Sequence, residues 1–496
     1  MKTIIIKRNM LLFTLLFSFA VFAKGETLNL TLEQSIEIAK EQSYTMRKLV
    51  QELRIAEYNL KSVTSRLKTH VNMNLALPEY AKTLQSKADS TGVFFAVENL
   101  TYSAGLTINQ PLPTDGNIFV QSGVASFRDY YNGNMSSNLS TRVGFRQPLD
   151  ALYGYSSIKT EIKNAKLAHE RAEKSLKRDE TALISQVSRS YYSLLSFQKS
   201  TEIALLNLER QMEAYEISKN KYEAGLIREV DALQMEVDLA EAQSNYYMEL
   251  FNQSSASNSF KDLIGINLSD SIVLSSELLY KVVAVDTEMA VRLALKNRLE
   301  IREREINTEL LKLNLKRQKV QGMIRGELNA FVEKAGFSLS GSDMHIPNSL
   351  NNSYNSFQNS PYGYGIGFTV SIPIFDWGEN RALVRAAEAR VKQSVLEKED
   401  YQRNIETEVR NIVANIEINL KRLQLLEKNL SVAEKSFEIT LQRFSDGDID
   451  SQALALERNR LNTAHTSHLN AYIRYQVTLT DLMQATLHDF QNSITN

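Results

Sequence analysis

The chain contains no cysteine in its 496 residues. This absence excludes disulfide bonds, thiolate metal sites, cysteine nucleophiles and a lipid-modified N-terminal cysteine. No Pro- or Gly-rich linker divides the chain into domains. The formal net charge is only −1, so the composition does not indicate a basic surface for nucleic acid. With 43% hydrophobic and 23% charged residues, the chain has the composition of a folded protein.

Long hydrophobic runs are also scarce. Beyond the N-terminal segment, no stretch approaches the roughly 18 apolar residues that a transmembrane helix needs. The N-terminal segment has Lys2, Lys7 and Arg8 before the apolar run 10–22, and a small-x-small motif ends at Ala23. This pattern predicts a signal peptide at 1–23, with an uncleaved anchor as the alternative. Cleavage leaves a net charge of −1 − 3 = −4. The exported chain is then either soluble outside the cytoplasm or crosses a membrane as strands.

One turn signature occurs twice, at positions separated by 222 residues (447 − 225). The copies read Tyr222-Glu-Ala-Gly225-Leu-Ile-Arg-Glu-Val-Asp231 and Phe444-Ser-Asp-Gly447-Asp-Ile-Asp450. Each glycine is expected to take positive φ at the tip of an αα-hairpin. A duplication of this size predicts a first repeat at 24–265 and a second at 266–496. Each repeat is expected to contain a short helix, β-strands and a long α-hairpin.

The predicted helices are long and carry a heptad pattern. They are expected at 31–68, 157–222, 226–263, 286–320, 379–444 and 450–488. In the helix at 379–444, apolar residues recur at Val409, Ile416, Leu423, Leu430 and Phe437, which is typical of a coiled-coil seam. At about 1.5 Å per residue, the helix at 157–222 would be roughly 100 Å long.

Segments with a period of two lie between the short and long helices. They are 71–77, 101–109 and 138–145 in the first repeat and 324–333 and 362–372 in the second, while 117–127 alternates poorly. One apolar face against a Gly, Ser, Thr, Asn or Arg face is typical of transmembrane strands, although an ordinary antiparallel sheet is the alternative. Four or six strands cannot close a pore, so several chains would have to contribute. The Asn-, Ser- and Tyr-rich stretches 83–98 and 338–361 are predicted to be outward-facing loops.

These features resemble the TolC-like outer-membrane channel family. The motifs are Leu30-Thr-Leu-Glu33, Tyr222-Glu-Ala-Gly225 with Asp231, Leu263-Ile-Gly265-Ile and Ser371-Ile-Pro-Ile-Phe-Asp376-Trp-Gly378. The resemblance implies a mainly α fold with a transmembrane β-barrel, and a long antiparallel coiled-coil α-barrel built from two tandem repeats and completed by trimerisation. It implies a homotrimer with a 12-stranded barrel, four strands coming from each chain. It also implies location in the outer membrane of a Gram-negative-type cell, extending into the periplasm. The implied partners are outer-membrane lipid, a periplasmic adaptor and an inner-membrane RND or ABC transporter.

The chain departs from the family pattern in two ways. The first repeat holds roughly 30 extra residues within 78–147, because the offset between repeats falls from 255 (291 − 36) to 222 along the chain. Gln110-Pro111-Leu112 is echoed by Gln147-Pro148-Leu149, which indicates an added β-hairpin. It would widen the barrel, fold into its lumen or lie against it. Second, the family's acidic residue six positions after the tip glycine is Asp231 in one copy, but Ala453 occupies that position in the other.

Two sets of candidate functional residues lie at the tips. The docking set for an adaptor is Tyr222, Gly225, Leu226, Phe444 and Gly447. The set for pore constriction and gating is Asp231, Asp446, Asp448 and Asp450, with Arg228 and Arg443 as counter-charges. For the aspartates the alternative is turn and cap chemistry, and for the two aromatic residues it is simply the end of a seam.

The predicted function is a passive exit duct for a tripartite efflux pump or a type I secretion system, with no cofactor, metal, nucleic acid or catalytic residue. A periplasmic coiled-coil scaffold with a soluble β domain is the alternative. An enzyme is disfavoured. His465 and His468 have a spacing that could hold a metal, but no acidic residue completes a known pattern, so both are interpreted as seam residues. The cargo is not predicted.

Overall fold

A computed structural model describes residues 27–86, 94–274, 278–341 and 345–490. The predicted signal peptide lies outside these ranges. Among the described helices, none combines the length and apolar character needed to span a bilayer. Contacts divide the described residues into two compact units. The first draws on the described residues up to Gln51, on Ser175–Ile301 and on the described residues from Asp400 onward, and the second on Glu52–Lys174 and Arg302–Glu399.

The elements follow the predicted alternation of helices and strands. The helices are α1 (Leu32–Gln42), α2 (Tyr44–Ser65), α3 (Ser157–Glu223), α4 (Glu229–Ile264), α5 (Thr287–Asn297), α6 (Leu299–Gln321), α7 (Ile346–Asn359), α8 (Glu379–Asp446) and α9 (Ser451–Thr486). The strands are β1 (Thr27–Leu30), β2 (His70–Ser86), β3 (Phe94–Pro111), β4 (Asn117–Asp129), β5 (Asn134–Pro148), β6 (Ser271–Leu274), β7 (Arg325–Ser340) and β8 (Gly363–Ser371).

The two short helices that were each predicted as continuous are both interrupted. The first breaks at Ser43 and the second at Arg298, where the backbone is extended. These positions are 255 residues apart (298 − 43), which equals the offset found between the two sequences around the short helices. The interruption is therefore a feature of both copies. Periodicity alone missed it because the apolar spacing continues across the break.

The first unit has its core along the coiled-coil seam. Val409, Ile416, Leu423 and Phe437 are all buried there, as the heptad pattern predicted. Two hydrophobic clusters lie along this seam, and side chains of α3, α4 and α5 pack in them. Leu195 of α3 is one example. The short strands β1 and β6 pair in parallel beside them. Burial of these large apolar side chains is the main contribution that holds the long helices together.

The second unit contains one six-stranded antiparallel sheet in the order β2-β3-β4-β5-β7-β8. The poorly alternating stretch at 117–127 forms β4, an interior strand of this sheet. The added hairpin is therefore hydrogen-bonded in line with the other strands. The chain contributes six strands to the sheet, which are the four that the family resemblance implied and the two of the added hairpin.

Both predicted outward loops are wrong in part. Residues 83–86 and 94–98 continue β2 and β3, because the two strands keep pairing well beyond the apolar segment. Within 338–361, residues 338–340 belong to β7, and α7 covers 346–359. Helix α7 folds back onto the sheet, where the Ser349 hydroxyl donates to the Ser137 hydroxyl over 2.8 Å and the Ser353 hydroxyl donates to the Ser137 carbonyl over 2.7 Å. Small polar side chains thus allow a helix to form and pack there.

Candidate functional site

The two hairpin tips have the same backbone conformation. Gly225 has φ of 69° and Gly447 has φ of 87°, the left-handed conformation that favours glycine. In the first tip, the amides of Gly225 and Leu226 donate to the carbonyls of Tyr222 and Lys221, over 2.9 and 2.8 Å. In the second tip, the amides at 447 and 448 donate to the carbonyls at 444 and 443, over 3.1 and 2.9 Å. Each tip is therefore a Schellman turn, which satisfies the last carbonyls of the incoming helix.

The first tip presents an apolar surface. Leu226 is 73% exposed and Tyr222 is 43% exposed. A bidentate ion pair lies next to them, in which Nε and Nη2 of Arg228 each lie 3.1 Å from the Asp231 carboxylate. The guanidinium holds the pKa of Asp231 below its usual value, mainly through these hydrogen bonds. Asp231 therefore carries its charge next to its counter-charge, the Arg228 guanidinium.

Phe444, at the corresponding position of the second tip, is only 3% exposed. It packs in a cluster with Met235 and Leu454. The Lys221 ammonium lies 4.7 Å from the centre of its ring and donates to its carbonyl. The docking hypothesis required an exposed aromatic ring beside each glycine, which is correct for Tyr222 and wrong for Phe444. The reason is that α4 and α9 both turn their apolar faces towards this ring.

The three aspartates of the second tip have different partners. Asp450 caps α9, because its side chain accepts a hydrogen bond from the Ala453 amide over 2.9 Å. The carboxylate of Asp446 accepts two hydrogen bonds from the Gln442 amide, at 3.1 and 3.3 Å. Asp448 is exposed next to Gly447. Among the described residues, Arg443 forms no ion pair with a carboxylate, so it does not act as a counter-charge within this chain.

A buried polar cluster between the hairpins was not predicted. The Arg458 guanidinium on α9 lies 3.0 Å from the Asp238 carboxylate on α4, and the two side chains are only 14% and 10% exposed. Arg458 also donates to the side chain of Gln211 on α3. A signal was present in the sequence, because Arg458 interrupts the apolar stripe between Leu454 and Leu461 on α9. A charged residue at such a position indicates a buried partner.

The two histidines do not form a metal site in the described part of the chain, where no cluster of three or more His, Asp or Glu side chains could hold an ion. His465 is half-buried, and its Nε2 atom lies 3.8 Å from a carboxylate oxygen of Glu434. Burial lowers the pKa of His465, while Glu434 acts in the opposite direction. Its location between α8 and α9 is that of a seam residue.

Known proteins resemble this chain along most of its length. The family model described as "Outer membrane efflux protein" matches residues 35–266 and 292–486. The alkaline protease secretion protein AprF of Pseudomonas aeruginosa is 22% identical over 357 residues, which cover 70% of this chain and 69% of AprF. The outer membrane protein TolC of Vibrio cholerae is also 22% identical over 357 residues, covering 71% of this chain and 77% of TolC.

Solved structures show the same fold at lower identity. The outer-membrane channel OprN is similar with a TM-score of 0.67 and 17% identity, over 93% of this chain and 90% of OprN. The predicted fold class is thereby confirmed: mainly α, with the long α-barrel and the β-barrel of the outer-membrane channel-tunnels.

Proposed function

Since the chain belongs to the outer membrane efflux protein family, we propose that it is the passive exit duct of a tripartite efflux pump or a type I secretion system. Family membership itself establishes the coarser statement that the protein is an exit duct located in the outer membrane and extending into the periplasm. This confirms the predicted location and decides against a periplasmic scaffold with a soluble β domain. In the proposed role the protein performs no chemical step, and a partner transporter supplies the energy.

A pair of exposed apolar stripes carries this proposal. On α8, Ile418, Leu425, Val432 and Ile439 recur every seventh residue and are between 60% and 71% exposed. On α4, a second stripe is exposed and contains Val230, Leu233, Val237, Tyr247 and Phe251. Heptad stripes of this kind are coiled-coil seams that require a partner helix. Because the chain has two such stripes, each copy can pair with two neighbours, which gives a closed ring of helices in a homotrimer.

The first tip is the proposed docking surface for a periplasmic adaptor. Leu226 and Tyr222 offer exposed apolar area on a turn whose backbone is fixed by Gly225. Buried aromatic and aliphatic anchors supply most of the binding energy at protein interfaces. Gly447 would place the second tip at the same end of the hairpins, but Phe444 there contributes to the core and not to the docking surface.

Replacing one exposed leucine tests the docking role. We expect Leu226→Gln to reduce export, and crosslinking to the adaptor, by about tenfold, because it removes an apolar anchor worth about 1–2 kcal/mol. Export of a small dye and of a secreted protein would be measured separately, which distinguishes an RND-type pump from an ABC exporter. The matched control is Leu456→Gln, which changes another exposed leucine on α9 away from the turn. Equal export by both variants and the wild type, with intact trimers, would contradict docking at this tip.

The proposed gate is formed by carboxylates. Three copies of Asp446, Asp448 and Asp450 would bring nine acidic side chains together (3 × 3) at the closed end. Like charges that lie close together repel one another, and this repulsion favours opening of the pore. Asp231 is paired with Arg228, so the unpaired charge belongs to the second tip.

A further inference from the structure

We propose that the sheet of this chain closes with two further copies into a barrel of 18 strands (3 × 6), in which the added hairpin β4–β5 is part of the wall. The inference rests on the proposed trimeric duct and specifies its outer pore. In the 12-stranded barrel that the family resemblance implied, this hairpin would have to lie inside the lumen or against the outside. The observations on the sheet favour the wall.

The first observation is a continuous apolar row across all six strands. Directly opposed residues run from edge to edge, and the added strands contribute to the row in the same way as the others. The row is Val71, Ile108, Val120, Val143, Val332 and Tyr364. Four of its members, Val71, Val143, Val332 and Tyr364, are largely exposed. On the same face, Leu106 of β3 and Ile118 of β4 are exposed as well. The apolar face therefore continues across all six strands, which indicates one continuous surface facing lipid.

The neighbouring row is polar across the same six strands. It consists of Asn72, Thr107, Gln121, Arg142, Glu333 and Gly363. Arg142 and Glu333 form an ion pair over 2.7 Å on this face, and Arg146 and Glu327 form another over 2.6 Å. Paired charges at this depth fit a water-filled lumen and not lipid. A hairpin folded into the lumen would instead have water on both faces. The apolar side chain of Val120 on β4 would then be exposed to water.

The second observation is that the β3–β4 turn is tied to the start of the long helix α3. Asp115 accepts hydrogen bonds from the Ser156 hydroxyl over 2.9 Å and from the Ile158 amide over 2.8 Å, which caps this helix. The Thr114 carbonyl also accepts from the Gln147 side chain, at the end of β5, over 2.8 Å. The added hairpin is therefore fixed next to the strand-to-helix junction and cannot swing away from the wall without uncapping α3.

The third observation concerns the two edges of the sheet. Because the number of strands is even and all neighbours are antiparallel, the edge strands β2 and β8 run in opposite directions. The β8 edge of one copy can therefore pair with the β2 edge of the next in the same antiparallel manner. Unpaired backbone groups are not tolerated at lipid depth, so closure by further copies satisfies both edges. Val71 and Tyr364 stand at the two ends of one row, so closure also continues the lipid face.

The width of the pore follows from the number of strands. Barrel diameter grows roughly linearly with strand number, so 18 strands give a diameter about 1.5 times that of 12, and barrels of about 16–18 strands leave an aqueous channel. The outer exit would then admit larger solutes than the resemblance implied.

Fluorescent labels test the wall position on the intact chain, which has no cysteine of its own. We expect a label on Val120→Cys in β4 to be quenched by nitroxide lipids, and one on the adjacent Gln121→Cys to be quenched by aqueous iodide. The matched controls are Ile366→Cys and Gly367→Cys in β8, where a Cβ at Gly367 meets open space. If the β8 pair alternates and Val120→Cys is not quenched by lipid, the 18-stranded barrel is overturned and the duct stands. If the β8 pair fails to alternate, the proposed duct itself is wrong.

A deletion measures the pore. Removing Leu112–Pro148 joins Gln110-Pro111 directly to Leu149 and restores the strand-end motif, leaving four strands per chain. We expect the largest polymer that enters the pore from the outer side to have a radius about one third smaller than in the wild type. An assembled deletion variant with an unchanged polymer limit would show that the hairpin lies outside the wall. If this variant does not assemble, the label experiment decides alone.

Discussion

The two hairpin tips have the same backbone and opposite surfaces. Both turn at a left-handed glycine with the same pair of hydrogen bonds. At the positions one before, one after and three after the glycine, the first tip has Ala224, Leu226 and Arg228. The second tip has Asp446, Asp448 and Asp450 at those positions. A duplicated turn has thus kept its geometry while one copy became apolar and basic and the other acidic.

The conformation of the turn is thus independent of the side chains on its surface. The Schellman turn depends on glycine and on backbone hydrogen bonds, so the flanking side chains are free to diverge. The first copy uses them for an exposed apolar surface with a paired carboxylate. The second copy buries its aromatic residue and keeps acidic groups at the end of the hairpin.

The largest difference in the loss of stability is expected between alanine variants of the two aromatic tip residues. Phe444→Ala should lower the free energy of unfolding by about 4 kcal/mol, because it leaves a cavity in the cluster between the hairpins. Tyr222→Ala at the equivalent position should cost less than about 1 kcal/mol, because this ring is partly exposed. Denaturant unfolding of the purified protein, followed by tyrosine fluorescence and limited proteolysis at the tips, measures both. Equal losses would mean that the tips are packed alike.

Breaking the buried ion pair should have the next largest effect. Arg458→Met leaves the Asp238 carboxylate buried without its partner and should destabilise the contact between the hairpins by about 3 kcal/mol. The control is Lys421→Met on α8, which removes the exposed pair between Lys421 and Glu417 and should cost about 0.5 kcal/mol or less. Thermal melting and single-channel recording of both variants test this. We expect the channel of the Arg458→Met variant to open more often than that of the control. Identical melting of the two variants would contradict a stabilising role for the buried ion pair.

The cap and the charge of Asp450 can be separated. Asp450→Ala should cost about 1 kcal/mol, because α9 loses its N-cap, whereas Asp450→Ser keeps a capping oxygen and removes the charge at little cost in stability. If carboxylate repulsion favours opening, Asp450→Ser combined with Asp446→Asn and Asp448→Asn should lower the open probability several-fold. If conductance is unchanged by all three substitutions, the gating role is excluded. Turn and cap chemistry would then explain why aspartates occupy these positions.

The smallest effect concerns pH and distinguishes the two hairpins. His465 has a lowered pKa in the folded state, so the unfolded chain binds its proton more readily below about pH 6.5. The stability that depends on neutral His465 is present above that pH and is lost as the pH falls through the folded pKa. Glu434 on α8 opposes the shift, and Arg210 on α3 and His468 on α9 reinforce it.

The equivalent position in the first hairpin, 222 residues earlier, is Gln243, which does not titrate. We expect proteolysis at pH 5.5 to begin in the second hairpin, and His465→Gln to delay it. His468→Gln is the control on the same helix. Proteolysis that begins in the first hairpin, or that His465→Gln leaves unchanged, would contradict the assignment.

Local patterns predicted the helices and the tips because they depend on spacing along one chain. The heptad positions Val409 and Leu423 are buried, and both tip glycines have positive φ. The β4 strand was harder to predict, because Phe119 lies on its polar face and obscures the alternation. The ring covers Gly144 on the next strand, where a Cβ atom would lie only 2.2 Å from it. That relation between β4 and β5 is visible only once the two strands are paired.

The duplicated architecture and the family could be predicted from the sequence alone, since periodicity, a repeated turn and short motifs are local properties. The tertiary structure was needed to see which residues at and near the tips are exposed and which are buried or bound to other groups. Phe444 and Arg458 are buried, and Asp450 serves a helix, because these outcomes depend on which helix faces which. It also decided that the added hairpin belongs to the sheet, since strand order is set by hydrogen bonds between segments distant in sequence.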